Sequence, residues 1–226
     1  NCNSNQSYHT SGFVSGTCDM DPTAAVVPIT SGLSTAFTAG YGTLPVLSSG
    51  LQVKIYLQGY YVSIGTMQLV LLNQGITSPS NITDSITVEL HSTIPPYNLV
   101  RSSNVLLNTN GTATCSYTPA ISGSFYVAVR HRNSITTWSS IPVTLGSSTT
   151  IYDFTNSSAK AYGNNMMEIE PGKWAFYTGE INQDDNIDLV DSQLLETAIN
   201  NFAFGYEKAD FNGDGNVDLL DIAIIE

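Results

Sequence analysis

The chain has 226 residues, 42% of them hydrophobic and only 12% charged, and a net charge of −12; that charged share is about half the usual one. The apolar content allows one sizeable core or two smaller ones. No run approaches the roughly 18 apolar residues that cross a bilayer as a helix, and no basic stripe exists to meet phosphates, so neither membrane insertion nor a nucleic-acid partner is expected.

The sequence opens at Asn1-Cys2-Asn3 with neither an initiator Met nor a signal peptide, and reads as a mature or excised piece of a longer protein. Residues 1–45 are rich in Ser, Thr, Gly and Ala and are assigned to a linker or the tail of a preceding domain. Cys2 and Cys18 are a disulfide candidate in an oxidising compartment. Cys115 lies in an alternating run and reads as a buried free thiol. With no CxxC, and with His9, His91 and His131 scattered, cysteine–histidine metal ligation finds no support.

From 46 to 158 the pattern is that of strands. Leu51–Leu57 and Ser85–His91 alternate apolar and polar residues, and Met67–Leu72 is an apolar run of strand length. Further strands are expected at Leu99–Leu107, Thr112–Tyr117, Ser124–His131, Ile135–Leu145, Ile151–Phe154 and Lys173–Thr178. Asn110-Gly111 is the best hairpin signal, since both residues accept the positive φ of a type I′ turn. Seven or so short strands without an intervening helix predict a mainly β protein with an antiparallel, Ig-like β-sandwich. Residues 159–179 form a junction, and no flexible linker separates the sandwich from residues 180–226.

The charge is unevenly placed. Residues 180–226 hold twelve acids against Lys208 alone, net −11, whereas the first 179 residues hold seven acids and six bases, net −1. The acidic segment is a duplication at an offset of 30 residues. Glu180, Asn182, Asp184, Asn186, Asp188 and Asp191 fall on Asp210, Asn212, Asp214, Asn216, Asp218 and Asp221. Oxygen donors recur at loop positions 1, 3, 5, 9 and 12, with a backbone carbonyl at position 7 from Asn186 and Asn216. That is the spacing of an EF-hand loop, and two Ca2+ ions are expected, since calcium takes 6–8 oxygens in a forgiving geometry. Gly215 permits the sharp turn at position 6 of the second loop, where the first loop has Asp185, which must take positive φ. Each loop feeds an apolar helix pattern, Leu189–Ile199 and Leu219–Ile225.

Loop-then-helix in duplicate, with Asp at position 12, resembles the dockerin type I domain. The resemblance implies a small calcium-folded helical segment that docks onto a cohesin-like domain, with docking residues just after the loops near Asp191-Ser192 and Asp221-Ile222. The spacer Asn200–Lys208, with Phe202, Phe204 and Tyr206, is longer than the family's, and Glu226 aligns with Glu196, so 180–226 reads as truncated at its C-terminus. Stretches such as 57–61, 71–75, 88–91 and 130–135 resemble β-modules of secreted and cell-surface Bacteroidota proteins, adhesins and surface filaments among them.

Several other motifs carry bland and functional readings side by side. Glu168 and Glu170 share a strand face as a carboxylate pair would, but no Ser/His/Asp pattern accompanies them and the chain is read as noncatalytic. Tyr60, Tyr61 and Tyr97 are candidates for a sugar-binding face. Ser85, in Asp84-Ser85-Ile86, matches a Bacteroidota O-glycosylation signal, and Asn5, Asn81, Asn110 and Asn156 head N-x-Ser/Thr sequons. The expectation is an extracellular or cell-surface calcium-binding module for assembly, adhesion or attachment through a cohesin-like domain or a neighbouring subunit. The alternatives are the polysaccharide-binding portion of a secreted polysaccharide-degrading enzyme and a polymerising filament subunit.

Overall fold

A computed structural model describes residues 16–19, 28–31, 48–76 and 79–225. The chain divides into two units, Asn1–Pro45 and Val46–Glu226. In the first, β1 (Gly16–Asp19) and β2 (Pro28–Ser31) pair antiparallel with Cys18 opposite Ile29. Cys2, and with it the expected Cys2–Cys18 bridge, lies outside the described residues.

The second unit begins with β3 (Ser49–Lys54), the short pair β4 (Tyr61–Ser63) and β5 (Thr66–Met67), and one helical turn α1 (Val70–Asn73). Then come β6 (Ile82–His91), β7 (Leu99–Asn108), β8 (Thr112–Tyr117), β9 (Gly123–His131), β10 (Ser134–Trp138), β11 (Val143–Leu145) and β12 (Thr149–Asp153). One sheet runs β10-β9-β6-β7 with β11 also on β9, and the other runs β12-β3-β8. Successive side chains on a strand face opposite ways, so Leu51 and Val53 are fully buried while the alternating Gln52 and Lys54 are only half-buried. They meet Ile86, Val88, Leu90, Val127 and Val129 of the facing sheet in a single core. Each such side chain contributes about 1.5–3 kcal/mol on burial. Cys115 is a free thiol in this core, where burial pushes its pKa up.

The architecture is the expected β-sandwich, with local differences, one being that the expected strand Ile135–Leu145 is split into β10 and β11. Met67–Leu72 is not a strand: β5 ends at Met67 and the chain turns into α1, burying Val70 and Leu71 and exposing Leu72. A short apolar run has no periodicity to distinguish these outcomes. Asn110-Gly111 is not a type I′ hairpin, because β7 and β8 belong to different sheets. Only Gly111 has positive φ, at the end of a turn closed by its N–H to the Asn108 carbonyl at 2.9 Å. A side chain there would come within 2.5 Å of the Ile55 carbonyl oxygen. Finally, β12 pairs with β3 in parallel, Thr149 opposite Gly50 through Asp153 opposite Lys54.

After β12 come two short 3-10 turns, the hairpin of β13 (Met167–Glu170) and β14 (Lys173–Ala175), and two helices, α2 (Leu189–Asn200) and α3 (Leu219–Ile225). Phe176 bridges in parallel to Leu57 and packs edge-on against Phe154 at 5.2 Å, which carries the sandwich core up to the acidic segment. A second, smaller core of Ile181, Leu195, Ala209, Phe211 and Val217 joins the loops to the helices. Among the described residues no helix is long and apolar enough to cross a membrane.

Candidate metal centre

The two acidic loops share one backbone frame with most of its hydrogen bonds repeated. In the first, Asp191 Oδ1 accepts from the N–H groups of Ile181 (2.7 Å) and Asn182 (3.3 Å), and Oδ2 accepts from Asp188 N–H (3.0 Å). In the second, Asp221 Oδ1 accepts from Phe211 (2.7 Å) and Asn212 (3.0 Å), and Oδ2 from Asp218 (2.9 Å). The asparagine and aspartate at positions 3 and 5 each accept from the N–H two residues on, between 2.8 and 3.0 Å in both loops. Asp188 and Asp218 accept from Val190 and Leu220 N–H at the helix starts. Gln183 and Asp185 take positive φ at positions 4 and 6 where the second loop has Gly213 and Gly215, so Asp185 adopts the conformation its position demands.

The donor set fits a hard cation. Glu180, Asp191, Asp210 and Asp221 are all buried, yet Glu180 Oε2 has no hydrogen-bond partner among the described residues. Burial pushes Glu180 and Asp221 above the usual carboxylate range, helped in each case by a neighbouring carboxylate, and takes Asp210 up to about 6. Buried carboxylates raised in this way are those a bound divalent ion would stabilise. Among the described residues no group of three or more His, Cys, Asp or Glu forms a metal cluster. The loops mix carboxylates with asparagine amides and backbone carbonyls, the mixture calcium accepts.

Residues 178–226 match the family model of the dockerin type I domain. That family binds calcium and serves protein–protein assembly. Two solved structures are similar to the chain over 78% of its length and 92% of theirs, at 14% identity. They are C-terminal-interface and N-terminal-interface mutants of a type II cohesin–X–dockerin complex from Acetivibrio cellulolyticus, with TM-scores of 0.44 and 0.45. No curated protein matches.

The dockerin segment is seated on the sandwich through groups that the sequence did not single out. Asn133 Nδ2 donates to the Asp210 carbonyl at 3.0 Å, and Asn73 Nδ2 to the Gly213 carbonyl at 3.0 Å. Gln74 Nε2 donates to the Asp210 carboxylate, while Gln74 Oε1 is buried without a partner among the described residues. At the first loop, the Asn133 carbonyl accepts from Gly179 (2.8 Å) and Glu180 (3.2 Å) N–H. Beneath them Asp84 accepts from Arg132 Nε at 3.1 Å and Tyr206 O–H at 2.5 Å, and pairs with His131 Nε2 at 3.1 Å. Arg132 lies over the Tyr206 ring at 4.2 Å and donates to the Glu207 carbonyl. Gly59 completes the seat: a Cβ there would run into the Phe211 carbonyl. Gly59→Ala is therefore expected to cost on the order of 1–3 kcal/mol as overpacking does, seen as a lower urea midpoint.

Some expected sites are placed differently. Tyr60 is in the core, with burial pushing its hydroxyl well above the usual value, and its O–H faces Asp210 and Arg132 instead of a sugar. Asp191 and Asp221, at which the docking region was expected to begin, are buried and face their own loops. Glu168 and Glu170 are engaged separately: Glu168 accepts from Gly172 N–H at 2.8 Å, and Glu170 from Ile64 N–H and from Lys173 Nζ at 2.7 Å. Ser85 is exposed on β6, while the Asp84 before it has a structural role in the seat.

Proposed function

We propose that this chain is a noncatalytic extracellular module that joins another protein through its dockerin segment, one calcium ion in each loop folding the binding surface. Side chains at positions 1, 3, 5, 9 and 12 and the carbonyl at position 7 supply the ligands in both loops. The observation that carries the reading is the repetition of one hydrogen-bonded frame at an offset of 30 residues around buried carboxylates. The docking surface is the start of the two helices. Leu189 is 86% and Leu219 72% exposed, with Val190 and Leu220 exposed beside them, a duplicated apolar pair on a segment otherwise rich in acids. Exposed apolar side chains grouped in this way mark partner sites. A cohesin-like domain is the partner that the family match supports.

Isothermal titration of the full chain with calcium tests the metal part, with two ions per chain expected and none or one refuting it. Binding to a panel of cohesin domains tests the partner part. The double variant Leu189→Asp, Leu219→Asp is expected to weaken capture by tenfold or more, roughly the loss of an interface hot spot. Unchanged capture would move docking off these turns. Gln74→Leu removes an outer-shell donor to Asp210 while keeping volume. It is expected to weaken the second calcium site about 10–100-fold, as such losses do, and to leave the first unchanged in the same titration.

A further inference from the structure

We propose that the sandwich carries a second binding site, a cleft for a neutral glycan formed by Tyr97, Tyr126, Trp138 and Tyr162. These side chains come from the β6–β7 connection, β9, the end of β10 and the turn after β12, and with Ser139 and Ser140 they line a cleft of about 350 Å3. The cleft lies apart from the calcium loops, and none of its lining residues takes part in the seat of the dockerin segment.

Three of the four rings, Tyr97, Tyr126 and Trp138, are held by neighbouring groups of the protein. Tyr97 stands edge-on to Tyr126 with centroids 5.8 Å apart. Trp138 lies against His91 at 4.3 Å, and His91 is itself held by Glu89 at 3.0 Å and by the Tyr97 carbonyl at 2.9 Å. Tyr97 has φ +58, a left-handed conformation that bulky residues rarely adopt, kept in place by that carbonyl contact and by its N–H to the Ile94 carbonyl at 2.9 Å. Strain of this sort is maintained where a side chain must be aimed.

The chemistry of the lining selects the ligand. Tyr97 is 44% and Tyr162 73% exposed, so ring surface is open to a visitor. Among the described residues the phenol oxygens of Tyr97, Tyr126 and Tyr162 and the indole nitrogen of Trp138 have no hydrogen-bond partner, whereas the Ser139 hydroxyl is used by Val127 N–H and the Ile141 carbonyl. Flat apolar faces thus carry polar tips at their rim, and among the described residues no charged side chain lines the cleft. A charged ligand would find no counter-ion here. A pyranose ring presents a flat C–H face to stack on the aromatic rings and hydroxyls that both donate and accept at its rim. A proline-rich peptide also stacks on Tyr and Trp, but its prolines bring carbonyl acceptors without donors, whereas each sugar hydroxyl both donates to and accepts from a tyrosine phenol.

The test uses the full chain in calcium. Neutral gluco-, manno-, galacto- and xylo-configured oligosaccharides, an acidic oligosaccharide and a proline-rich peptide are titrated by calorimetry and by Trp fluorescence. At least one neutral oligosaccharide should bind and shift the emission, and the shift should vanish in Trp138→Phe, which leaves Trp174. Tyr162→Ala, at an exposed position whose side chain makes no hydrogen bond among the described residues, should weaken binding about tenfold, the upper end of what one aromatic contact supplies, with an unchanged circular dichroism spectrum. Tyr97→Ala should act in the same direction. The proposal is overturned if no neutral oligosaccharide binds, if only the peptide or the acidic sugar does, or if binding ignores both tyrosine variants. None of these outcomes depends on how many calcium ions the loops hold.

Discussion

Replacing Asp84 by alanine is expected to destabilise the chain by about 3–5 kcal/mol, the usual cost of removing one partner from a buried charge pair. The carboxylate is fully buried and meets His131, Arg132, Tyr206 and the Ser85 N–H at once. Its loss would leave the Arg132 guanidinium and the His131 imidazole buried without their carboxylate, and urea unfolding measures the penalty. The same group sets an acid limit. Burial alone would raise the Asp84 pKa, but the hydrogen bond and charge of His131, with Arg132 and Tyr206, outweigh it and hold the carboxyl well below the usual range. Because the folded pKa is the lower one, its stabilisation is complete above the unfolded value of about 4 and is lost as pH falls below it. Stability should therefore drop steeply on acidification below about pH 4, and Asp84→Asn should flatten that slope. An unchanged slope would mean that the carboxylate is not held as described.

Chelating calcium has the second large effect: the helical circular dichroism of α2 and α3 should disappear while the β signal of the sandwich remains. Among the described residues the smaller core has five buried hydrophobic side chains, against a local charge of −11. Binding that folds a segment adds its free energy to folding, about 4 kcal/mol when calcium exceeds its dissociation constant a thousandfold. Asp210→Ala should cost more than Glu180→Ala, because Asp210 also accepts from Gln74 and from Gly215 N–H, whereas Glu180 Oε2 accepts from nothing among the described residues. Helical signal that survives a chelator would separate the fold of this segment from the metal.

The duplicated loops were legible because their chemistry is local: donor spacing within twelve residues dictates the frame, and the frame appears in both copies. Strand alternation was legible for the same reason, and β6 to β9 start within a residue or two of where periodicity puts them, except that β6 begins at Ile82. The seat of the dockerin segment was not. Asn73, Gln74 and Asn133 meet residues 210–213 across more than 70 positions of sequence, which no short-range pattern encodes. Yet one trace of it was present. Asp84 shares the inward phase of β6 with Ile86, Val88 and Leu90, and His131 shares that of β9 with Val127 and Val129. An acid and a histidine on two inward-facing positions are a pair in waiting, because neither is buried alone at tolerable cost. The aromatic cleft was glimpsed only through Tyr97, since its four rings come from four separate stretches of chain.

The parallel ladder between β3 and β12 bears on how this module would carry load. These are the first and last strands of the sandwich, and five consecutive residue pairs lie side by side along them. A pull entering ahead of β3 and leaving after β12 drags the two strands past each other lengthwise. All the bonds between them then resist together in shear, whereas strands peeled from one end would give way one rung at a time.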